Sequence, residues 1–316
     1  KLFPERKKNI ERAAWLCKTD LITGVVGEFP ELQGLMGRYY ALHDGEDREV
    51  AEAIRQQYLP AHSGDRLPET DEGSVLSLAD KMDNIVSFFS IGLTPTGSED
   101  PFALRRQALA VIAILIEKRY DISLRELVRM AKGSTSRDTQ DFSEEVLSFF
   151  VQRLEPLLVS QGFDLDMIQS VIHFAERDNE FLWEMKERLK AVKAFSAEKE
   201  YSPFLLAMKR VTNIGIPTAV DLKPLRKELL TEVQEKILYE EVLTIKPSLQ
   251  KLIQEKKYAD ALKLSSTLTK FINTFFDGVL VMDKRDEVRL NRFALLREIW
   301  ALTSPIVDFS RLKETR

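Results

Sequence analysis

The sequence predicts an all-α fold made of two helical domains. Apolar residues recur at i, i+3, i+4 and i+7 through most of the 316 residues, which is the spacing of amphipathic helices, whereas the alternation typical of strands is rare. The charge also divides the chain: residues 1–200 hold 26 Lys and Arg against 35 Asp and Glu, and residues 201–316 hold 20 against 15. An acidic body followed by a basic module is typical of a scaffold that carries a polyanion-binding domain.

The first part of the chain shows strong helical spacing that turn residues interrupt. The predicted helices cover residues 5–26, 46–58, 75–91, 101–118 and 121–131. Between the first two helices, Gly34 and Gly37 break the pattern, although each would cost about 1 kcal/mol relative to Ala inside a helix. We therefore expect a positive φ or a close backbone approach at these glycines. Asp100 and Pro101 have the residue types that open a helix, as N-cap and first helical residue.

The second part begins after a linker whose composition is polar and rich in Ser and Thr, residues 133–141. Further helices are predicted over 142–161 and within 164–193, and the charge balance places a domain boundary between 195 and 203. A break over 212–224 contains Gly215 and Pro217. A basic bundle of four or five helices should follow. Helices are predicted over 224–243, 259–281 and 283–302, and a further helix is predicted to begin at Pro247.

Composition narrows the class of protein. The longest apolar run, residues 108–116, is too short for a membrane span, which needs roughly 20 residues. No phosphate-binding Gly-rich loop and no signal peptide is visible. The single cysteine, Cys17, excludes an internal disulfide and is expected in the core. We therefore expect a cytoplasmic protein with no membrane association.

Basic side chains cluster at two places in the second part. Arg285, Arg289 and Arg292 share one helix face at i, i+4, i+7, and Lys209 with Arg210 begins the basic module. Such side chains suit RNA phosphates, and Asn291 could contact a base edge. The face opposite the arginines should be core, and it comprises Val288, Leu295, Leu296, Ile299 and Trp300. Arg105 and Arg106, near the start of the 101–118 helix, are weaker candidates.

The acidic residues and histidines give weaker indications of a functional site. Asp80 and Asp83 lie three apart on one helix face, and we expect structural salt bridges from them rather than acid–base catalysis. His43-Asp44 suggests a metal-dependent hydrolase, but a catalytic metal needs several ligands on rigid elements. The chain has three histidines, and His43 precedes Gly45 in a polar stretch. We predict a surface turn there, no metal site and no catalytic residue.

Ordered motifs along the whole chain resemble the beta subunit of bacterial glycyl-tRNA synthetase. The two longest run from Glu28 to Tyr40 and from Pro95 to Leu109. Shorter matches occur in the same order as in the family: Arg12-Ala-Ala14, Tyr58-Leu-Pro60, Gly64-Asp65, Ala79-Asp-Lys81-x-Asp83, Lys209-Arg-Val-x-Asn-Ile214, Phe276-Asp-x-Val-Leu-Val281 and Arg289-Leu-Asn-Arg-x-Ala-Leu-Leu296. The family's chain is about twice as long, so the sequence looks like its C-terminal half.

The resemblance implies a function and a division of the chain. Residues 1–140 would form an HD-like helical domain, 141–200 a helical connection, and 201–316 a helical anticodon-binding domain. The chain would hold tRNA(Gly) within a hetero-oligomer, where the alpha subunit binds ATP and glycine and performs the ATP-dependent ligation. This chain would need no cofactor and would be non-catalytic alone. The implied tRNA contacts are Lys209, Arg210, Arg285, Arg289, Asn291 and Arg292, with Arg105 and Arg106 in second place.

Two other functions stay open at this point. HD-type domains include metal phosphohydrolases, so the first alternative is a divergent HD phosphohydrolase acting on nucleotides. The second is a helical scaffold that binds only protein partners. Metal content together with phosphatase activity would favour the first, and absence of any tRNA affinity would favour the second.

Overall fold

A computed structural model describes residues 2–62, 64–95, 100, 102–134, 141–214 and 224–314. The described residues contain helices and no strand, so the all-α prediction is confirmed. Two compact units are present, residues 1–157 with 174–183 and residues 158–173 with 184–316. The predicted boundaries at 140 and 200 and the HD type of the first domain stay predictions. By compactness, residues 141–200 contribute to both units.

The first unit is a bundle around its longest helix, α5. Its helices are α1 (Lys7–Leu16), α2 (Gly24–Glu28), α3 (Leu35–His43), α4 (Arg48–Gln56), α5 (Asp71–Ser90), α6 (Leu104–Glu117), α7 (Leu124–Ser134) and α8 (Ser143–Ser160), of which the last three residues belong to the second unit. Helix α5 packs against α1, α4, α6 and α7. Thr70 caps it, because its side chain accepts a hydrogen bond from Gly73 N at 3.0 Å. Met82, Ile85 and Val86 are buried on α5.

The single helix predicted over residues 5–26 is wrong, because a buried carboxylate interrupts it. Helix α1 ends at Leu16, and a 3₁₀ turn at Thr19–Ile22 carries Asp20 into the interior. Its Oδ2 accepts hydrogen bonds from Gly34 N at 2.6 Å and Gly37 N at 3.0 Å. The close approach expected at the two glycines is therefore confirmed: a Cβ on Gly37 would lie 2.8 Å from Ile54 Cγ2. Asp20 joins the first turn to the entrance of α3.

Lys81 is a buried amine in the first unit. The residue is 5% exposed, and Nζ donates to Gln57 O, Leu59 O and Ser77 Oγ at 2.9, 3.3 and 2.8 Å. All three acceptors are neutral. Burial therefore lowers the pKa of Lys81 to about 8, because the ammonium loses hydration that no carboxylate hydrogen bond replaces; the nearby charge of Asp80 opposes this only in part.

The stability of the first unit should depend on pH through Lys81. Its pKa is about 10.4 in an unfolded chain, so between about pH 8 and 10 the unfolded state binds more protons and the free energy of unfolding rises with pH. Relative to Lys81→Met, the unchanged protein should gain about 1–2 kcal/mol between about pH 8 and 9.5. Urea unfolding of both proteins at matched pH measures this. A difference that stays constant over the range would contradict the lowered pKa.

The second unit is a bundle of longer helices. It contains α9 (Leu165–Val171), most of α10 (Leu182–Phe195), α11 (Tyr201–Asn213), α12 (Val233–Gln254), α13 (Tyr258–Ser266), α14 (Thr269–Gly278) and α15 (Asp286–Thr303). Helix α12 packs against α13, α14 and α15, and α11 packs against α14 and α15. The break predicted over 212–224 falls largely on residues outside those described.

Three predicted helix limits in the second unit are wrong. The helix predicted over 224–243 begins at Val233, after a 3₁₀ turn at Lys227–Leu229. Pro247 does not begin a helix but lies inside α12. It has no N–H to donate to the Leu243 carbonyl. Packing against three helices keeps α12 continuous. The helix predicted over 259–281 is two, α13 and α14, with a turn at Thr267 and Leu268.

Candidate nucleic-acid interface

Arg292 lies inside the second unit, not on its surface. It is 2% exposed. Its Nε donates to Glu235, itself fully buried, and its Nη1 donates to Asp283 Oδ2 at 3.0 Å and to Leu280 O at 2.8 Å. With protein acceptors around its guanidinium, Arg292 is not placed to contact RNA phosphates. The structure gives it a structural role: it ties α15 to α12 and to the segment before α15.

Asn291 also has a structural role in place of the predicted base contact. It is 5% exposed. Its Oδ1 accepts a hydrogen bond from Arg226 N at 2.8 Å, and its Nδ2 donates to Arg226 O at 3.0 Å. The Asn291 amide thus pairs with the Arg226 backbone as one β-strand residue pairs with a residue of the adjacent strand. These two hydrogen bonds fix the segment that leads into α12. With 5% of the residue exposed, little of its amide edge is accessible to a base.

Arg285 and Arg289 are the surface members of the predicted α15 face. Asp283 accepts from the backbone N and from both Nε and Nη2 of Arg285, and these bonds hold the pKa of Asp283 well below its usual range. The Arg285 side chain is 62% exposed. Arg289 is half-buried and forms an ion pair with Asp286 at 2.8 Å. The i, i+4, i+7 spacing therefore places the three arginines on one side, but Arg292, the third of them, is buried and is not part of the exposed basic surface.

The apolar residues predicted as core on α15 are buried, with one exception, but they do not lie opposite Arg292. Val288, Leu295 and Leu296 are at i−4, i+3 and i+4 from Arg292 and therefore share its face. Val288, Leu295, Leu296 and Ile299 are buried, as predicted, whereas Trp300 is 46% exposed. Trp300 lies in the last turn of α15, which ends at Thr303. The prediction of a core Trp300 is wrong.

Lys209 and Arg210 lie near the C-terminal end of α11. Lys209 is half-buried and Arg210 is exposed. The Arg210 guanidinium lies 4.7 Å from the centre of the Phe276 ring and forms an ion pair with Asp277 at 3.0 Å. Both partners belong to α14. The contact orients Arg210 over the α11–α14 surface without burying it.

Arg105 and Arg106 belong to the first unit. The Asp100 carboxylate accepts hydrogen bonds from Leu104 N at 2.8 Å and Arg105 N at 2.9 Å, the first two N–H groups of α6. The N-cap residue is Ala103, however, so the prediction of Asp100 at that position is wrong, and the helix begins at Leu104. The predicted first helical residue, Pro101, lies outside the described residues. Arg105 is half-buried and Arg106 is exposed.

His43, Asp44 and Asp80 lie where the sequence predicts them, in a surface turn and in a structural salt bridge. His43 and Asp44 contact each other at 3.1 Å with side chains 87% and 74% exposed, which is the predicted surface turn. Asp80 pairs with Lys18 at 2.6 Å, as expected of a structural salt bridge. The described residues contain no group of three His, Cys, Asp or Glu side chains arranged to hold a metal ion. Cys17 is buried, as predicted.

No helix among the described residues has the length and apolarity that crossing a membrane requires.

Comparison with known proteins gives two family matches. Residues 1–173 match the family model described as glycyl-tRNA synthetase beta subunit, and residues 205–302 match the DALR anticodon binding domain. The second match contains Arg210, Arg285 and Arg289.

Curated relatives give the same result over nearly the whole chain. The glycine–tRNA ligase beta subunit of Thermodesulfovibrio yellowstonii is 41% identical over 312 residues, which is 99% of this chain and 45% of the relative. That of Citrifermentans bemidjiense is 40% identical, with 99% and 45% coverage, and that of Desulforamulus reducens is 40% identical, with 98% and 44% coverage. The chain therefore spans a little under half the length of these relatives.

Proposed function

The chain belongs to the glycyl-tRNA synthetase beta subunit family, and on that premise we propose that it is the tRNA-binding portion of a glycine–tRNA ligase. The observation that carries this proposal is the anticodon-binding match over 205–302, which contains Arg210 of α11, Arg285 directly before α15 and Arg289 of α15. In the complete enzyme, a separate alpha subunit would bind ATP and glycine and perform the ligation in the cytoplasm. This chain would hold tRNA(Gly) within the hetero-oligomer.

The contacts that we propose are Lys209, Arg210, Arg285 and Arg289. Three of these, all but Lys209, have acidic partners: Asp277 for Arg210, Asp283 for Arg285 and Asp286 for Arg289. Exposed pairs contribute only about 0–1 kcal/mol, so an RNA phosphate can replace the carboxylate at small cost. Arg292 acts indirectly, because its hydrogen bond to Asp283 holds the segment that carries Arg285.

Affinity should come mainly from the neutralisation of phosphates. Each phosphate contact releases counterions, so the association constant should fall steeply as salt increases. The +5 balance of residues 201–316 agrees with this source of affinity, while the acidic partners of the arginines limit how many phosphates the surface can neutralise. No observation favours the metal phosphohydrolase alternative.

Charge reversal at the proposed surface tests the function. We expect Arg210→Glu and Arg285→Glu each to weaken tRNA(Gly) binding by about tenfold at low salt, because each replaces an attraction to phosphate by a repulsion. Lys199→Glu is the matched control, because it makes the same charge change on a side chain that is 90% exposed. Lys199 belongs to the same unit but precedes the N-terminus of α11, whereas Arg210 lies near the C-terminal end of that helix. Filter binding across a salt series measures all four proteins.

The outcomes separate the proposal from a scaffold that binds only proteins. A scaffold would show no tRNA affinity at any salt concentration. Equal losses in Arg210→Glu and Lys199→Glu would mean that general charge, and not the α11–α15 surface, attracts the RNA. Binding that is indifferent to all three reversals would contradict the proposed contacts.

A further inference from the structure

A cavity of about 410 Å³ lies in the first unit, and the motifs that the tRNA-binding surface does not use meet around it. Its polar lining comprises Gln33, Tyr58, Asp80, Lys81, Asn84, Arg106 and Gln107. These residues come from the Gly34 turn, the Tyr58-Leu-Pro60 motif, the Asp80-Lys81 motif on α5 and the start of α6. A cavity of this volume lies within the range of small-ligand sites.

The charge of the cavity is positive. Lys81 is buried and hydrogen-bonded only to neutral oxygens. Asp80 supplies a negative charge, but Lys18 balances it at 2.6 Å. Arg106 adds an exposed guanidinium for which the described residues supply no ion pair. A cation held in a low-dielectric wall favours an anion in the cavity and disfavours a divalent metal.

Uncharged polar groups of the same cavity are available as well. The hydroxyl of Tyr58 is buried and has no hydrogen-bond partner among the described residues, whereas buried polar groups ordinarily have one. Asn84 Nδ2 donates to Gln107 Oε1 at 3.0 Å, and Gln107 Nε2 donates to Phe102 O at 3.1 Å, which leaves the Asn84 Oδ1 acceptor for a ligand. The lining thus combines two cations with donors and acceptors that can orient a polar molecule.

We propose that this cavity binds the phosphate group of a small phosphate ester about the size of a mononucleotide. Arg106 is the phosphate-binding residue, because a guanidinium forms paired hydrogen bonds to phosphate oxygens. Lys81 is the buried countercharge. Asn84 and Tyr58 contact the remainder of the ligand. This binding site is separate from the tRNA-binding surface of the second unit and does not depend on it.

Titration calorimetry with adenosine 5′-monophosphate tests the proposal, with adenosine as the probe that lacks the phosphate. We expect saturable binding of the monophosphate with a dissociation constant below about 1 mM, and much weaker binding of adenosine. Arg106→Gln should weaken monophosphate binding by about tenfold, the usual loss of a hydrogen bond to a charged group. Because Arg106 is exposed, the fold is expected to survive the change. Arg48→Gln is the matched control, since Arg48 is an exposed arginine of α4 outside the cavity.

Three results would overturn the proposal. The first is no saturable monophosphate binding by the unchanged protein at concentrations of about 10 mM. The second is equal binding of adenosine and the monophosphate, or equal losses in the Arg106 and Arg48 variants. The third is a loss of tRNA(Gly) affinity in Arg106→Gln without any monophosphate binding, which would assign Arg106 to the RNA backbone instead.

Discussion

Arg292→Met is expected to lower the free energy of unfolding of the second unit by about 3–5 kcal/mol, the usual cost of removing one partner from a buried ion pair. The reason lies in what the change leaves behind. Glu235 is fully buried and would lose its counterion. Its other oxygen accepts from Glu232 N in the capping box of α12, so protonation or rotation of the carboxyl would also weaken that cap. The Leu280 carbonyl and Asp283 would lose a donor as well.

Urea unfolding followed by hydrogen exchange of α12 and α15 resolves the effect on this unit from changes in the rest of the chain. Arg289→Met is the matched control, because Arg289 is on the same helix but half-buried and paired with a largely exposed carboxylate. We expect a loss of less than about 1 kcal/mol for it. The double variant Glu235→Leu/Arg292→Met should recover much of the lost stability, since it removes both charges. A cost for Arg292→Met as small as for Arg289→Met would contradict the buried ion pair.

This prediction changes how tRNA-binding data on α15 should be understood. Loss of tRNA affinity in an Arg292 variant would follow from displacement of the segment with Asp283 and Arg285, even though Arg292 touches no RNA. Only Arg285 and Arg289 variants, whose stability should be nearly unchanged, report on contact with phosphates. Stability and affinity must therefore be measured on the same variants.

The burial of Arg292 was partly predictable from the sequence. Spacing of i, i+4, i+7 relates Arg292 to the exposed Arg285 and the half-buried Arg289, but the core residues Val288, Leu295 and Leu296 lie at i−4, i+3 and i+4 from it. The same spacing rule therefore also places Arg292 on the apolar stripe of α15. The partners of Arg292 were not predictable, because they include Glu235, which is 57 residues away in the chain.

Helices with continuous apolar stripes were predictable, whereas interruptions that depend on one buried polar group were not. Helix α5 and helix α15 lie close to their predicted limits because periodicity alone defines them. The end of α1 depends on Asp20, whose burial the sequence suggests but whose interruption of the helix it does not. Its true partners, Gly34 N and Gly37 N, are backbone groups that no sequence pattern identifies. The glycines themselves were the visible signal.

Gly34→Ala is expected to lower the free energy of unfolding of the first unit by about 3–5 kcal/mol, from two sources. Gly34 has a φ of +75°, where a Cβ costs roughly 1–3 kcal/mol. That Cβ would also lie 2.6 Å from Tyr58 Cδ2 and 3.3 Å from Ile54 O. The tyrosine ring packs in the first unit and the carbonyl is backbone, so neither can move without a further cost of about 1–3 kcal/mol.

Gly45→Ala separates these two sources. Gly45 has a similar φ of +82°, but a Cβ there would meet no atom within 4 Å, so its cost should be that of the backbone alone, about 1–2 kcal/mol. The difference between the two variants in urea unfolding measures the contact with Tyr58. Because Tyr58 also lines the cavity, Gly34→Ala should weaken monophosphate binding whereas Gly45→Ala should not. Equal destabilisation by the two alanines would mean that the ring of Tyr58 yields freely and that the Gly34 turn does not fix the cavity wall.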